Sequence, residues 1–263
     1  MGLSANSLLT PDLPSPGDTH LWFVPQDPCS LERLHADGQA TLSRQEAERF
    51  HSFRSHQRAL RFLTGRNFTR RVLAGYLGTD PAELVFEEGQ NGRPALARPR
   101  TAGVSFSLSH ASDRTVLAIS SGSTIGVDLE PVSRAKKAWR ISQNFFPASE
   151  RRDVAEAEDS AALHALMHWC LKESIAKARG DTVWANLAAV TLRLKCGHID
   201  CRFNKLVSGT WSLACGAIER NFIIAVAQVS PSNRSRSPGS VTLLRHEERG
   251  IVHTPFNPEF NGA

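Results

Sequence analysis

Trp169-Cys170-Leu171-Lys172-Glu173-Ser174-Ile175-Ala176-Lys177 sets apolar and charged side chains at helical spacing. Glu173 and Lys177 stand four residues apart and share a helix face. Lys172 points off that face by about 100°. Trp169 and Cys170 lie one turn before Glu173, on the side that faces protein. The helix predicted around the stretch runs from Ser160 to Arg179 and is closed by Gly180. Upstream, Gly126-Val127-Asp128-Leu129-Glu130 continues an apolar strand, Thr124 to Leu129. Residues i and i+2 of a strand point to the same face, so Asp128 and Glu130 do. Two carboxylates on one face repel unless a proton or a cation sits between them, and a hard oxygen site of this kind suits magnesium. Taken alone, solvated acids at a strand end explain the first pair. An ordinary surface ion pair explains Glu173 with Lys177. Together the two clusters form a kit for holding a divalent metal against a phosphate ester and moving a proton nearby.

Outward from these motifs, strands and helices come in two similar batches divided near Ser123. In the first, Leu21 to Val24 reads as a strand, and Leu42 to Phe53 and Ser55 to Leu77 read as helices. Leu60, Leu63, Phe68, Val72 and Leu73 recur at helical spacing in the second helix, which Gly78 closes ahead of Pro81. Leu84 to Phe86 is a predicted strand, Gly89 to Pro94 a turn, and Val104 to Leu108 and Val116 to Ser120 two more strands. In the second batch, Ser149 to Val154 is a short helix ahead of the long one. Val190 to Lys195, Trp211 to Ala214 and Phe222 to Val229 carry the β-branched and apolar bias of strands. Each batch has a long helix followed by strands. The expected fold is α+β: two pseudo-symmetric subdomains, each a small, mostly antiparallel sheet packed with a long helix, although no residue-level repeat is visible. Residues 1–19 read as irregular, 20–123 and 124–230 as the two subdomains, 231–240 as a linker and 241–263 as a strap or loose tail.

The chain has 263 residues, 22% of them charged and 41% apolar, the composition of a globular protein with an adequate core. No stretch approaches the ~20 apolar residues of a membrane span, and Met1 to Thr10 lacks the pattern of a secretory signal. Five scattered cysteines fit reduced thiols in a cytoplasmic protein. The net charge of +5 favours an anionic partner, and part of the excess lies in Arg54, Arg58, Arg61, Arg66, Arg70 and Arg71. Ser107-Leu108-Ser109-His110 and Gly92-Arg93-Pro94 offer phosphate donors, with turn residues and a surface charge as the plainer alternative. His164 and His168 are also four apart, but no acid follows the first histidine as a zincin requires. They read as structural or exposed.

The two leading motifs resemble the signatures of the 4′-phosphopantetheinyl transferases, in the single-chain, surfactin-synthetase-activating form with two pseudo-symmetric halves. Arg58 to Leu73 is similar to that family's basic N-terminal helix, Asn91 to Pro94 to its Gly-Lys-Pro turn, and Phe106 to His110 to its Ser-His motif. The resemblance spans residues 20–230. Arg93 stands where lysine is usual, Ser107 replaces a common asparagine and Ala111 a common serine.

The resemblance implies magnesium-dependent transfer of the phosphopantetheine arm from coenzyme A to a serine of an apo acyl or peptidyl carrier protein, releasing adenosine 3′,5′-bisphosphate. It makes 20–123 the coenzyme A-binding half and 124–230 the half for magnesium and catalysis, with the active site between them. Asp128, Glu130 and Glu173 would converge on one Mg²⁺. Glu173, or a water near Glu130, would take the serine proton. Lys177 would stabilise the pyrophosphate charge, with Lys172 as a helper. Ser109 and His110 would meet coenzyme A phosphates, His110 the 3′-phosphate, with Arg58 and Arg93 as further candidates. The carrier would present an acidic surface, and the enzyme would act as one chain in the cytoplasm, with no nucleic acid and no membrane as partner. The rival readings are a magnesium-dependent nuclease and a non-catalytic nucleic-acid-binding module. The nuclease fits less well because Lys172-Glu173 is followed by Lys177 rather than forming a carboxylate-x-lysine triplet.

Overall fold

The computed structural model describes residues 12–25, 42–89, 93–99, 103–195, 198–204, 208–231, 241–247 and 250–255. Its elements run β1 (Thr19–Pro25), α1 (Arg44–Ser52), α2 (His56–Leu77), β2 (Val85–Glu88), β3 (Pro94–Arg98), β4 (Val104–Ala111), β5 (Arg114–Ser121) and β6 (Thr124–Pro131) in the first part. Then come α3 (Ala135–Phe145), α4 (Ala148–Glu156), α5 (Ala161–Arg179), α6 (Val183–Asn186), β7 (Val190–Lys195), β8 (His198–Phe203), β9 (Thr210–Ile218), β10 (Phe222–Ser230), β11 (Val241–Glu247) and β12 (Gly250–Pro255). Two sheets dominate, with strand orders β12-β11-β1-β5-β4 and β6-β10-β9. Every pairing in them is antiparallel except β1 with β11.

The strands alternate between two cores. In β1 and β5, Trp22, Leu117 and Ile119 pack with Val72, Leu73 and Ala74 of α2. Their neighbours Leu21, Phe23, Val116 and Ala118 turn the other way and meet Ile125, Val127 and Leu129 of β6 and Ile224 and Val226 of β10. The far face of β10, with Ile223, Ala225 and Ala227, joins Leu171 and Ile175 of α5. The layers are therefore helix, sheet, sheet, helix. Strands buried on both faces carry near-continuous apolar runs, which is how Val116 to Ser120 and Phe222 to Val229 read. Each fully buried Leu or Ile contributes about 1.5–3 kcal/mol against exposure. Burying both sheet faces consumes the apolar side of β6, so its polar set, Asp128 and Glu130, faces α5.

The sheets meet along β4 and β6 through side chains rather than a backbone ladder. The hydroxyls of Ser105, Ser107 and Ser109, alternate residues of β4, accept the N–H groups of Ile125, Val127 and Leu129 at 3.4, 3.1 and 3.3 Å. A row of small hydroxylated residues lets the strands approach and supplies the partners that the edge of β6 would otherwise lack.

The long helices lie close to their expected bounds. Ser55 caps α2, and Gly78 and Gly180 end α2 and α5 in the left-handed region at φ 61° and 72°. Several elements went unread. α3 has no capping side chain, but it is amphipathic: Ala135, Ala138 and Ile141 pack on the core and Lys136, Lys137 and Arg140 face out. Strands β3 and β8 and the one-turn α6 are short and half-exposed. Of the strap or loose tail expected over 241–263, the described residues 241–247 and 250–255 are strands. β11 pairs in parallel with β1, and β12 pairs antiparallel with β11, because β1 would otherwise be an edge with unpaired backbone groups. Asn91 and Gly92 of the expected turn lie outside the described residues.

Candidate active site

A glycine decides how closely α5 lies on β6. A Cβ at Gly126 would stand 2.0 Å from the Ser174 carbonyl oxygen and 2.5 Å from the Ala178 nitrogen, so only glycine fits under the helix. That contact aims Trp169, Glu173 and Lys177 at the polar face of β6. Arg93 fastens the far end. Its guanidinium donates to the Lys177 and Ala178 carbonyls of α5, to Phe106 O of β4 and to Ile125 O of β6.

Within this frame, Asp128 is 5% exposed, and its Oδ1 accepts from Lys177 Nζ at 2.7 Å and Ser109 Oγ at 2.9 Å. Lys177 Nζ also donates to Ser109 Oγ and to the Val127 carbonyl, each at 3.0 Å. Asp128 Oδ2 is buried with no hydrogen-bond partner. Glu130, 6% exposed, takes Arg134 Nη1 on both oxygens at 2.7 Å and the Trp169 indole N–H at 3.1 Å. Glu173 is half-buried one turn before Lys177 and forms no ion pair within 4.0 Å among the described residues.

The charges do not balance locally. Burial, then the negative charges of Asp128 and Glu130, push the Glu173 carboxyl up to about 7 against the pull of Lys177 and Arg134. Burial and Asp128 also raise Glu130, with Arg134 and the Trp169 hydrogen bond opposing. A buried oxygen without a donor and a carboxyl lifted by two like charges describe a site short of positive charge.

The carboxylates cluster without closing on one point. Among the described residues, the one set of three possible ligand side chains with atoms within 4.8 Å of one another is Asp153, His164 and His168. Asp128, Glu130 and Glu173 do not reach that spacing, because Lys177 draws Asp128 and Arg134 holds Glu130.

Other expected residues divide sharply. His110 lies on β4 with Nδ1 2.9 Å from Thr115 Oγ1, and its ring fits against Gly65 of α2, where a Cβ would come within 2.8 Å. Burial of its inner edge, then the cations Lys177 and Arg61, lower its pKa. Arg58 is exposed on the first turn of α2. Lys172 is corrected: it is fully buried on another face of α5, and its ammonium meets Glu150 Oε1 and the Leu187 carbonyl at 2.9 Å and the Val190 carbonyl at 2.5 Å. A lysine so enclosed cannot reach a diphosphate lying over Asp128. Arg93 is corrected likewise, since four carbonyls occupy its terminal N–H groups. Reading the sequence missed Arg134, four residues beyond Glu130, and Arg61 beside His110. The spacing Glu130 to Arg134 was visible, but the strand-to-helix turn that closes it was not.

Comparison with known proteins gives concordant matches. The model of the 4′-phosphopantetheinyl transferase superfamily matches residues 124–227, and that of the 4′-phosphopantetheinyl transferase N-terminal domain matches 30–122. The chain is 31% identical over 179 residues to 4′-phosphopantetheinyl transferase HetI of Nostoc sp. strain PCC 7120, covering 67% of this chain and 74% of that protein. It is 28% identical over 162 residues to a 4′-phosphopantetheinyl transferase of Bacillus subtilis, covering 61% and 70%. A crystal structure of a holo-(acyl-carrier-protein) synthase from Bacillus anthracis str. Ames in complex with CoA (3′,5′-ADP) aligns at 17% identity and a TM-score of 0.37, over 41% of this chain and 96% of that one, too slight a likeness to argue from.

Proposed function

The chain belongs to the 4′-phosphopantetheinyl transferase superfamily, and we infer that the uncompensated acidic group over β6 is where it works. The enzyme transfers the 4′-phosphopantetheine group from coenzyme A to a serine of an apo acyl or peptidyl carrier protein and releases adenosine 3′,5′-bisphosphate. The observation that carries the site reading is Asp128: one oxygen is held by Lys177 and Ser109, the other is buried and orphaned.

A hard divalent cation suits this donor set. Mg²⁺ would be held by Asp128 through Oδ2 and by Glu173, with Glu130 as the third carboxylate, and when bound it would neutralise charge on the diphosphate. The remaining work falls to the chain. The carrier serine oxygen bonds to the phosphorus that bears the pantetheine arm. The bond from that phosphorus to the bridging oxygen breaks, and its electron pair leaves with adenosine 3′,5′-bisphosphate. The serine proton passes to Glu173, directly or through a water near Glu130. Lys177, fixed by Asp128, Ser109 and the Val127 carbonyl, offsets the charge that builds on the leaving phosphate. Arg61 and the exposed Arg58 of α2 form the cationic side on which the nucleotide phosphates rest, with His110, held neutral by burial and the neighbouring cations, beside them as a hydrogen-bonding group.

The carrier would approach over α3. That helix has no acidic residue, exposes Lys136, Lys137 and Arg140, and carries Trp139 at 42% exposure. Phe145 stacks edge-on with Trp184 at 5.7 Å, and Trp184 meets Trp169, which bonds Glu130. An apolar patch ringed by cations and leading to the acidic group suits an acidic partner. The test is to incubate the purified chain, acting as a monomer, with Mg²⁺, coenzyme A and apo carriers of the fatty-acid, polyketide and nonribosomal-peptide classes, then weigh each carrier. Gain of one phosphopantetheine by at least one class is expected. No gain by any would overturn the reading.

A further inference from the structure

We propose that Asp153, His164 and His168 form a second metal site, for a divalent ion of the zinc class, on the side of α5 that faces α4. His168 Nε2 lies 3.0 Å and His164 Nε2 3.3 Å from the same Asp153 oxygen, Oδ2, and the three ligand atoms lie within 4.8 Å of one another. Donors about 2.0–2.2 Å from a tetrahedral ion stand about 3.3–3.6 Å apart, so these two separations are close to the edges of such a tetrahedron. Two histidines four apart on a helix present both Nε2 atoms to one point, and the acid missing from their own helix comes from α4. Imidazole with carboxylate suits zinc, cobalt or nickel rather than magnesium.

A further feature points to a cation. The Asp153 side chain is 10% exposed and that of His168 is fully buried, yet no Lys or Arg pairs with Asp153 among the described residues. The adjacent lysine of the helix, Lys172, is taken by Glu150 and two carbonyls. The other contact to Asp153 Oδ2 is the Leu194 N–H of β7 at 3.1 Å. His164, at 18% exposure, forms the rim through which an ion would enter and where a fourth position faces outward. An ion there would tie α4, α5 and β7 together behind the helix that carries Glu173, without touching the transfer chemistry. The site stands whether or not the transferase reading does.

The test uses the full chain, freed of any polyhistidine tag and of metal, and titrated with Co²⁺ in excess Mg²⁺ so that the carboxylate group over β6 is not the sink. One equivalent should bind with visible absorption, and Zn²⁺ should displace it and raise the melting temperature by several degrees. His164→Gln should weaken Co²⁺ binding about tenfold or more and abolish the Zn²⁺ shift while keeping carrier modification. Glu173→Gln should bind Co²⁺ as the unmodified chain does. X-ray absorption of the Zn²⁺-loaded unmodified chain should count two imidazoles, a reading that needs no variant to fold. No stoichiometric binding in excess Mg²⁺, equal binding by His164→Gln, loss of binding in Glu173→Gln, or fewer than two imidazoles would each overturn the site.

Discussion

Helix α5 carries two lysine–carboxylate arrangements on different faces, and they are built oppositely. Behind the helix, Lys172 and Glu150 are both fully buried: the lysine is bonded to Glu150 Oε1 and two carbonyls, and Oε1 also accepts the Leu192 N–H, while Oε2 has no hydrogen-bond partner. Over β6, Lys177 and Arg134 stand among three carboxylates, Asp128, Glu130 and Glu173, and among the described residues Glu173 has no cation of its own. The first arrangement matches one cation to one carboxylate away from solvent and serves the fold. The second is left short of positive charge, which is what an enzyme needs if a metal and a diphosphate are to complete it. Adjacent residues of one motif, Lys172 and Glu173, thus have unrelated duties.

The contrast can be broken from either side. The largest effect is expected for Gly126→Ala, whose methyl group would meet the backbone of Ser174 and Ala178 and lift α5 from β6. A loss of about 3 kcal/mol or more in urea unfolding, with loss of transfer, is expected from such overpacking. Lys172→Met should cost about 3–5 kcal/mol because Glu150 is left buried and unpaired. Adding Glu150→Gln should return much of that. If the single variant unfolds at the same urea concentration as the parent, the buried arrangement has been misread.

Glu173→Gln should do the reverse and stabilise the fold near pH 8 by on the order of 1–2 kcal/mol after solvent screening. Its folded pKa, about 7, lies above the ordinary 4.5, so the folded chain binds the extra proton. Stability from this group is therefore greatest below pH 4.5 and falls as pH rises toward 7, and the advantage of glutamine should vanish below pH 4.5. Equal stability of the two proteins at pH 8 would show that Glu173 is not under that strain. Arg93→Met should cost about 1–3 kcal/mol of stability through its lost carbonyl bonds. It should leave the KM for coenzyme A within a factor of about three, whereas removing a phosphate-binding arginine would raise KM about tenfold or more.

How much of this the sequence showed depends on the type of signal. Asp128, Glu130, Glu173 and Lys177 were legible because period two and period four each place two groups on one face, and both faces turn to the same space. The two long helices were legible from their apolar spacing and closing glycines. Lys172 was misread because the sequence shows that it leaves the Glu173 face but not that Glu150 waits on α4. Arg93 was misread because a guanidinium that caps carbonyls and one that binds phosphate look alike until the neighbouring backbone is in place. The hairpin of β11 and β12 was missed because its pairing partner, β1, lies at the other end of the chain. Helix α3 went unread although Ala135, Ala138 and Ile141 recur at helical spacing and pack on the core, with Lys136, Lys137 and Arg140 on the outer face.

The most direct measurement of the central claim is the initial rate of carrier modification, read by intact mass, for the unmodified chain and for Glu173→Gln in saturating Mg²⁺ and coenzyme A. A folded Glu173→Gln protein whose rate falls by about a hundredfold or more is the expected result. The same rate in both proteins would contradict the account, because the acid left without a cation over β6 would then have no part in the transfer.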